Sequence, residues 1–305
     1  MTAQFDPTEA RTSRFTRLAE LPMQPVGSLA DGGFAKPIIQ IFRHREMLDL
    51  LIRRDLKSRF KDSSLGFVWT LIRPLTQLAI YYVVIGQFLG AARGIDDFAI
   101  YVFAGLTIYG LFSEIVLGGV GSVVNNAGLV KKIYMPREVF PLASVGAALF
   151  NFSIQMVVLI GATFLVGAPP WSADVLYAIP SILLIVVYGT AFALLLAGVN
   201  VYLRDTQYLA EVIMMFLMWA SPIVYTWTMA GDILGGGLLF DIYTANPITL
   251  AVLGFQEAFW SAGDSSQFPD NLLLLMGIAL VIGVVLLLAF HQVFRRLQGN
   301  FAQAL

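Results

Sequence analysis

Four basic residues before the first long apolar run have the charge needed to bind an anionic ligand at a membrane surface. They are Arg53, Arg54, Lys57 and Lys61. Ile52, Leu56 and Phe60 repeat at helical spacing on the adjacent face of the same segment. Such a helix lies in the membrane interface, with its apolar side chains in lipid and its cations at the level of the headgroups. The segment is therefore predicted to be a membrane anchor or a collector of an anionic, lipid-linked substrate.

A second segment, residues 126–141, mixes apolar and charged side chains where a simple connector would be polar. The mixed residues are Leu129, Val130, Lys131, Lys132, Ile133, Tyr134, Met135, Arg137 and Glu138. Exposed apolar side chains on a cytoplasmic loop are typical of a docking site for another protein. The alternative is a short interfacial helix that packs on its own bundle.

Ionisable and aromatic side chains inside the apolar runs are a third set of candidates. Glu114 lies within one run, where a charge is costly and indicates a function unless a polar neighbour or water satisfies it. Aromatic residues near the ends of the runs fit either the aromatic belt of a membrane protein or a path on which sugar rings stack. The residues predicted for such a path are Trp69, Tyr81, Tyr109, Phe112, Glu114, Trp219 and Tyr225.

The sequence lacks the residue patterns of several catalytic and cofactor-binding sites. It contains no Gly-x-x-x-x-Gly-Lys-Ser/Thr loop, no His-Glu-x-x-His and no Gly-x-Ser-x-Gly. It has no cysteine, and its two histidines, His44 and His291, are too few for a histidine metal site. We predict no catalytic residue, no metal site and no cofactor bound by this chain. The net charge of −1 gives no indication of a nucleic-acid partner.

The elements that position these residues are predicted to be membrane-spanning helices. The chain is 58% hydrophobic and 13% charged with a mean hydropathy of +0.76, whereas soluble domains are about 25% charged. A spanning helix needs about 20 mostly apolar residues. Six runs meet that need, at residues 69–89, 98–120, 142–166, 175–199, 209–228 and 272–290. The predicted fold class is an all-α integral membrane protein with six transmembrane helices.

Two shorter apolar stretches, residues 233–250 and 250–259, predict a pair of re-entrant helices between the fifth and sixth spans. All lysines and arginines except Arg73 and Arg93 then fall on one side of the membrane, which the positive-inside rule makes cytoplasmic. A seventh span would put Arg295 and Arg296 outside, so both termini are predicted to be cytoplasmic. The predicted domains are a cytoplasmic tail (residues 1–35), an amphipathic interfacial helix (36–64) and a transmembrane domain (65–305).

Four blocks of the sequence resemble one family, the permease subunits of ABC transporters that export cell-surface polysaccharides. The blocks are Arg-Asp-Leu-Lys-Ser-Arg-Phe-Lys at residues 54–61, Leu-Val-Lys-Lys-Ile-Tyr-Met-Pro-Arg-Glu-Val-Phe-Pro at 129–141, Tyr-Leu-Arg-Asp at 202–205 with Ser-Pro-Ile-Val-Tyr at 221–225, and Asn-Pro at 246–247. Their order and spacing hold from about residue 40 to the C-terminus. Members of this type 2 ABC permease family export O-antigen, teichoic acid, capsule or cell-wall galactan.

The resemblance implies a permease homodimer that pairs with two copies of a separate P-loop ATPase, which binds ATP and Mg²⁺. Residues 45–61 look like the family's amphipathic gate helix, residues 128–135 its cytoplasmic coupling helix, and residues 230–260 its re-entrant helices. The residues then expected to dock the ATPase are Leu129, Lys131, Lys132, Tyr134, Met135, Arg137 and Glu138. The residues expected at the entry for the substrate's pyrophosphate are Arg53, Arg54, Lys57 and Lys61. The expected cargo is a polysaccharide on a polyprenyl carrier in the bacterial cytoplasmic membrane.

Three other functions fit parts of the sequence. The first is an ABC exporter of a drug or small lipid. The second is an intramembrane enzyme such as a lipid-linked transferase, which would need a cluster of carboxylates or a histidine near one membrane face. The third is a gradient-driven transporter, which would need inverted repeats and more buried acids.

Overall fold

The computed structural model describes residues 45–60, 68–88, 90, 95–132, 135–263 and 267–305 of the chain. All regular structure within these ranges is helical, which confirms the predicted all-α class. The predicted tail at residues 1–35 lies outside the described residues, as do Lys61 and Tyr134.

The described part of the chain consists of long apolar helices joined by short ones. The helices are α1 (Arg45–Phe60), α2 (Val68–Ile80), α3 (Phe98–Asn125), α4 (Ala127–Lys132), α5 (Val139–Val166), α6 (Ala178–Asn200), α7 (Thr206–Trp219), α8 (Trp227–Leu234), α9 (Leu238–Ala245), α10 (Pro247–Phe259), α11 (Leu272–Leu297) and α12 (Phe301–Ala304). Helix α2 continues as a π-helix over Tyr81–Phe88, and a 3₁₀ turn at Ala173–Tyr177 leads into α6.

Five of the predicted spans agree with helices that are long and apolar enough to cross a membrane. These stretches of the described chain are Val68–Phe88, Phe98–Asn125, Val139–Val166, Ala173–Asn200 and Leu272–Asn300. A sixth arises if α9 and α10, which are bent by 70° at Asn246, form one broken span. Asn246 causes this bend by ending α9 and capping α10, since its side-chain oxygen accepts a hydrogen bond of 3.1 Å from the amide of Ile248. The protein is a multi-pass integral membrane protein.

The predicted fifth span at residues 209–228 is not one continuous helix, and it is interrupted near Ser221-Pro222, where the sequence predicts a break. Helix α7 has only 14 residues and ends at Trp219, so it is about 21 Å long, short of the roughly 30 Å hydrocarbon core. Pro222 prevents the helix from continuing because it lacks an amide hydrogen. Buried side chains satisfy the backbone at the break: the Tyr101 hydroxyl lies 2.8 Å from the Tyr225 carbonyl oxygen, and Gln256 Nε2 donates to the Pro222 carbonyl at 2.9 Å.

Helix α3 is the centre of the bundle and packs between α5 and α6. Most of its residues are buried, including aromatic side chains such as Tyr101 and Phe112. A Cβ atom at Gly119 would lie 2.4 Å from the Cβ of Ala193. The small side chains at this position therefore let α3 and α6 approach closely, as is common between membrane helices.

Helix α1 packs on the bundle through Leu51 and Ile52, so Ile52 of the predicted lipid-facing stripe contacts protein. Leu51 is buried, and Ile52 packs against the same cluster of buried residues as Val139 and Phe140. A Cβ atom at Gly146 of α5 would lie 2.4 Å from Ile52 Cδ1. Gly146 therefore leaves the space into which the Ile52 side chain of α1 packs.

Candidate functional site

The short helix α4, which follows α3 and precedes α5 in the chain, exposes two cations. Lys131 and Lys132 are exposed in its last turn, whereas Val130 is buried among residues of α3, α5 and α6. Leu129 and Met135 are partly buried and pack against the same cluster. The amphipathic character of α4 thus fixes one face to the bundle and leaves the lysines free to meet another molecule.

A side-chain contact ties α1 to the beginning of α4. Arg54 Nη2 donates a hydrogen bond of 2.7 Å to Asn126 Oδ1, and Asn126 Nδ2 donates one of 2.8 Å to the Ser122 carbonyl. Asn126 follows the last residue of α3 and precedes the first residue of α4. The predicted substrate-entry helix and the predicted docking helix are therefore neighbours.

The basic residues of α1 are partly compensated by carboxylates of the same helix. Arg53 forms an ion pair of 2.8 Å with Asp49, one turn earlier, and Arg54 forms one of 2.7 Å with Asp55. Lys57 is exposed. Because surface ion pairs are weak, these arginines can exchange their partner for a phosphate group at little cost.

Arg137 and Glu138 contact the C-terminal residues, whereas residues that dock a partner would face solvent. Arg137 Nη1 donates to the carbonyl oxygen of Gln298, and its guanidinium lies 5.8 Å from the ring centroid of Phe301. Glu138 is buried, and its Oε1 accepts a hydrogen bond of 3.3 Å from Gln298 Nε2. His291 Nε2 lies 3.6 Å from the same oxygen. Docking by Arg137 and Glu138 themselves would require these contacts to break.

The environment of Glu138 favours its ionised form. Burial alone raises the pKa of this carboxyl group. The nearby His291 imidazole, the backbone amide of Glu138 and the Gln298 side chain outweigh that effect, so the pKa of Glu138 is lowered from its ordinary value of 4.5. Glu138 is thus a buried anion held between α5 and the C-terminal residues.

The predicted glycan-path residues do not lie on one surface. Phe112 is 1% exposed within the core, and the buried Tyr109 hydroxyl donates to the Met214 carbonyl, so neither side chain faces a surface in the structure and their place in a glycan path stays a prediction. Trp69 and Trp219 are exposed, at 45% and 55%. Tyr81 and Tyr225 are partly buried, and the Tyr225 hydroxyl donates to the Trp219 carbonyl at 2.9 Å. Trp219 and Tyr225 are thus in contact near the break after α7, whereas Tyr109 and Phe112 lie in the buried core with Tyr81 packed against it.

Glu114 joins α3 to α5. Its carboxylate accepts a hydrogen bond from Asn151 Nδ2, and its side chain is partly buried. A polar pair between two membrane helices holds them together. This contact supports the structural alternative for Glu114.

Sequence reasoning missed three polar residues that the structure singles out. Glu211 is exposed on α7 among apolar side chains, and its position inside the run 209–228 was the signal. Gln256 bridges the Tyr101 and Pro222 carbonyl oxygens. His291 lies beside Glu138. The last two had no local signal, because their partners are distant in sequence.

The described residues hold no group of three histidine, aspartate or glutamate side chains that could bind a metal ion. The exposed cations of the two candidate segments are Lys131 and Lys132 on α4 and Arg53, Arg54 and Lys57 on α1.

Comparison with known proteins identifies similar sequences over most of the chain. The O-antigen export system permease protein RfbA of Myxococcus xanthus is 26% identical over 87% of this chain and 98% of its own length. A protein of the same name from Klebsiella pneumoniae is 25% identical over 85% of this chain and 95% of its own length. The polysialic acid transport protein KpsM of Escherichia coli is 25% identical over 50% of this chain and 57% of its own length.

A family model adds the last observation. The model described as ABC-2 type transporter matches residues 47–260, which include the helices from α1 to α10 and both candidate segments. This match covers more than half of the chain, and so the protein belongs to the ABC-2 type transporter family.

Proposed function

We propose that this chain is the membrane-spanning permease subunit of an ATP-driven exporter that moves a lipid-linked polysaccharide across the bacterial cytoplasmic membrane. The observation that carries the proposal is its similarity, over 85–87% of the chain, to proteins named as O-antigen export permeases. The exposed lysines of α4 and the basic face of α1 support it.

The energy source is proposed to be a separate ATPase. This sequence has no phosphate-binding loop of its own. The exposed face of α4, with Lys131 and Lys132, is the proposed dock, and Tyr134 and the exposed parts of Leu129 and Met135 are proposed to join the same contact. ATP and Mg²⁺ bind to the partner. The chain itself is not an enzyme and needs no cofactor.

The substrate is proposed to enter at α1. A pyrophosphate on a lipid carrier is doubly suited to this helix, because its carrier lies in the bilayer and its charge meets Arg53, Arg54, Lys57 and Lys61 at the headgroup level. The hydrogen bond between Arg54 and Asn126 supports an entry next to the proposed dock, because it joins α1 to the residue that precedes α4. Substrate arrival and ATPase movement would thus act on neighbouring residues.

The membrane arrangement is proposed to have six crossings with both termini in the cytoplasm. Helix α7 is the fifth crossing, continued beyond its break by α8, and α9 and α10 enter and leave on the outer side. The hydrogen bonds that Tyr101 and Gln256 make to the break support this arrangement, because irregular backbone inside a bilayer must be satisfied by protein. Two copies of the chain would form the path, with Trp69, Tyr81, Trp219 and Tyr225 available to sugar rings.

The mechanism involves no covalent step on this chain. ATP binding would stabilise one conformation of the paired ATPases, and the dock would pass that preference to the permease. A ligand shifts a conformational equilibrium only by its difference in affinity for the two states. Export therefore depends on contacts that differ between ATP-bound and ATP-free complexes.

The dock is tested by reversing the two charges of α4. The variant Lys131→Glu/Lys132→Glu is co-expressed with a P-loop ATPase of the same organism and purified in mild detergent, in parallel with the control Arg204→Glu/Arg296→Glu. The control makes the same change of charge at two exposed positions outside α4. We expect the α4 variant to lose the ATPase about tenfold more readily than the control, since a few interface residues carry most of the binding energy. Equal retention by both variants would contradict the dock.

A further inference from the structure

The residues after α11 form a compact support beneath α4. We infer that residues 298–305, here called the C-terminal bracket, hold the 126–141 segment to the end of α11, and that Arg137 and Glu138 are positioning residues that act through it. This inference rests on the proposed function, because the motion it would transmit begins at the ATPase. It gives a role to the contacts of Arg137 and Glu138 with Gln298, which the proposed dock does not use.

The bracket is held at its apolar side by buried aromatic rings. Phe301 and Phe294 are fully buried, with ring centroids 5.5 Å apart. They belong to the same buried cluster as Val130 of α4 and Val139 of α5, and Leu305 packs against this cluster. Helix α12 contacts α4 directly. A displacement of α4 would therefore be transmitted to the C-terminal bracket first, because α12 is in direct contact with α4.

The polar side of the bracket is held by the two charged residues of the 126–141 segment. Arg137 donates a hydrogen bond to the Gln298 carbonyl oxygen, and Glu138 accepts one from the Gln298 side chain. Gln298 is therefore bound through both its backbone and its side chain. His291, less than two turns earlier on α11, faces the same carboxylate. Buried charges with several partners are costly to disconnect. The 126–141 segment and the end of α11 should thus move as one body.

A third attachment connects the bracket to the end of α6. The Tyr202 hydroxyl donates a hydrogen bond of 2.7 Å to the Leu297 carbonyl, and the rings of Tyr202 and Phe301 lie 6.1 Å apart. Helix α11 is 26 residues long, about 39 Å at 1.5 Å per residue. A helix of this length carries a displacement at one end across the whole bilayer. The bracket therefore gives α4 a direct connection to the opposite membrane face.

The coupling test compares variants of the permease in the purified complex with its ATPase, reconstituted with lipid-linked polysaccharide. The variants are Arg137→Gln, Glu138→Gln, His291→Leu and the conservative His291→Gln, with Arg204→Gln as the control for a loss of charge. We expect Arg137→Gln and Glu138→Gln to keep the ATPase and its KM for ATP, while polysaccharide transported per ATP falls about fivefold or more. His291→Gln should retain more coupling than His291→Leu, because its amide can donate to Glu138.

Two results of the coupling test would overturn the bracket. One is loss of the ATPase from Arg137→Gln and Glu138→Gln, which would make these residues part of the dock. The other is a wild-type ratio of transport to ATP hydrolysis in both variants. If the wild-type chain itself binds no ATPase, the proposed function fails, and that failure is separate from the bracket.

Hydrogen exchange tests the bracket without any transport assay. We compare Phe301→Ala with Phe88→Ala, which removes an equally large ring that is 78% exposed. Amides of Ala127–Lys132 should exchange about tenfold faster in Phe301→Ala than in the control, since loss of packing lowers the local opening free energy. Exchange in α3 should not change. Equal protection of α4 in both variants would contradict the bracket even where Arg137 and Glu138 variants fold poorly.

Discussion

The charged residues of the 126–141 segment fall into two groups that differ in what they contact. Lys131 and Lys132 are exposed and meet no carboxylate within the described residues, whereas Arg137 and Glu138 bind Gln298. The first group suits a partner that changes its position during a transport cycle. The second suits a permanent connection within the chain. Two roles are thus proposed within eight residues, from Lys131 to Glu138.

Acidification is expected to weaken the contribution of Glu138 to stability. The folded-state pKa of this carboxyl group is lowered from 4.5, so its stabilising effect is present above pH 4.5 and is lost as the pH falls through the folded-state pKa. At pH 7, Glu138→Gln should lower stability by about 1–3 kcal/mol, the usual cost of a lost charged hydrogen bond. The difference from wild type should shrink below pH 4.5.

Thermal unfolding in detergent at pH 7 and at pH 4 measures this effect. Glu46→Gln is the control, since Glu46 is an exposed carboxylate near the start of α1. His291 and Arg137 are the other charged or titratable groups beside Glu138, and they are unchanged in both variants. A stability difference that stays constant between the two pH values would contradict the assignment.

Residue types and spacing predict the exposed cations, but not the partners of buried ones. The lysines of α4 follow from an amphipathic pattern that is visible within a few residues. The partner of Arg137 and Glu138 is Gln298, about 160 residues away, so no local pattern indicates it. The sequence also predicts Phe112 on a glycan path, whereas its side chain is 1% exposed, because position along an apolar run does not indicate which helix face is buried.

Two helices show how context changes an element that the sequence predicts. The basic segment before the first span forms a helix, α1, as its period indicates. It packs on the bundle because Gly146 leaves room for Ile52, and a small residue in the middle of a long apolar run gives no sign of its neighbour. At α7, the Ser-Pro pair predicted an interruption, but the end of the helix at Trp219 also depends on the buried groups of Tyr101 and Gln256.

The packing of α1 at Gly146 can be tested with Gly146→Val. A Cβ atom at this position would lie 2.4 Å from Ile52 Cδ1, and overpacking of this kind costs about 1–3 kcal/mol. Gly161→Val is the matched control on the same helix, because no atom lies within 4 Å of the position of its Cβ. We expect α1 to separate from α5 in the first variant only.

Labelling of a single introduced cysteine measures this separation. The chain has no native cysteine, so Leu51→Cys, at a position that is 7% exposed, reports on α1 alone. Its reaction with a maleimide should be faster in the Gly146→Val background than in the Gly161→Val background. Equal rates would show that α1 is held by contacts other than Gly146.

On the scale of the whole molecule, the sequence predicts the membrane class and most of the spans. Long apolar runs are a strong signal because lipid leaves a backbone few alternatives to a helix. The number of membrane crossings is harder to predict from the sequence, since α7 is too short to span the bilayer alone and the axes of α9 and α10 are bent by 70°. An even number of crossings follows only if one of these two regions spans the bilayer. The positive-inside asymmetry, which favours cytoplasmic termini, agrees with that requirement.

The central claim is that this chain exports a lipid-linked polysaccharide only together with a separate ATPase. The most direct measurement is ATP-dependent movement of radiolabelled lipid-linked polysaccharide across proteoliposomes that contain the chain with its co-purified ATPase. We expect transport that requires ATP, both proteins and the lysines of α4. Transport by the chain alone under an ion gradient, or ATP-driven transport that excludes lipid-linked polysaccharide, would contradict it.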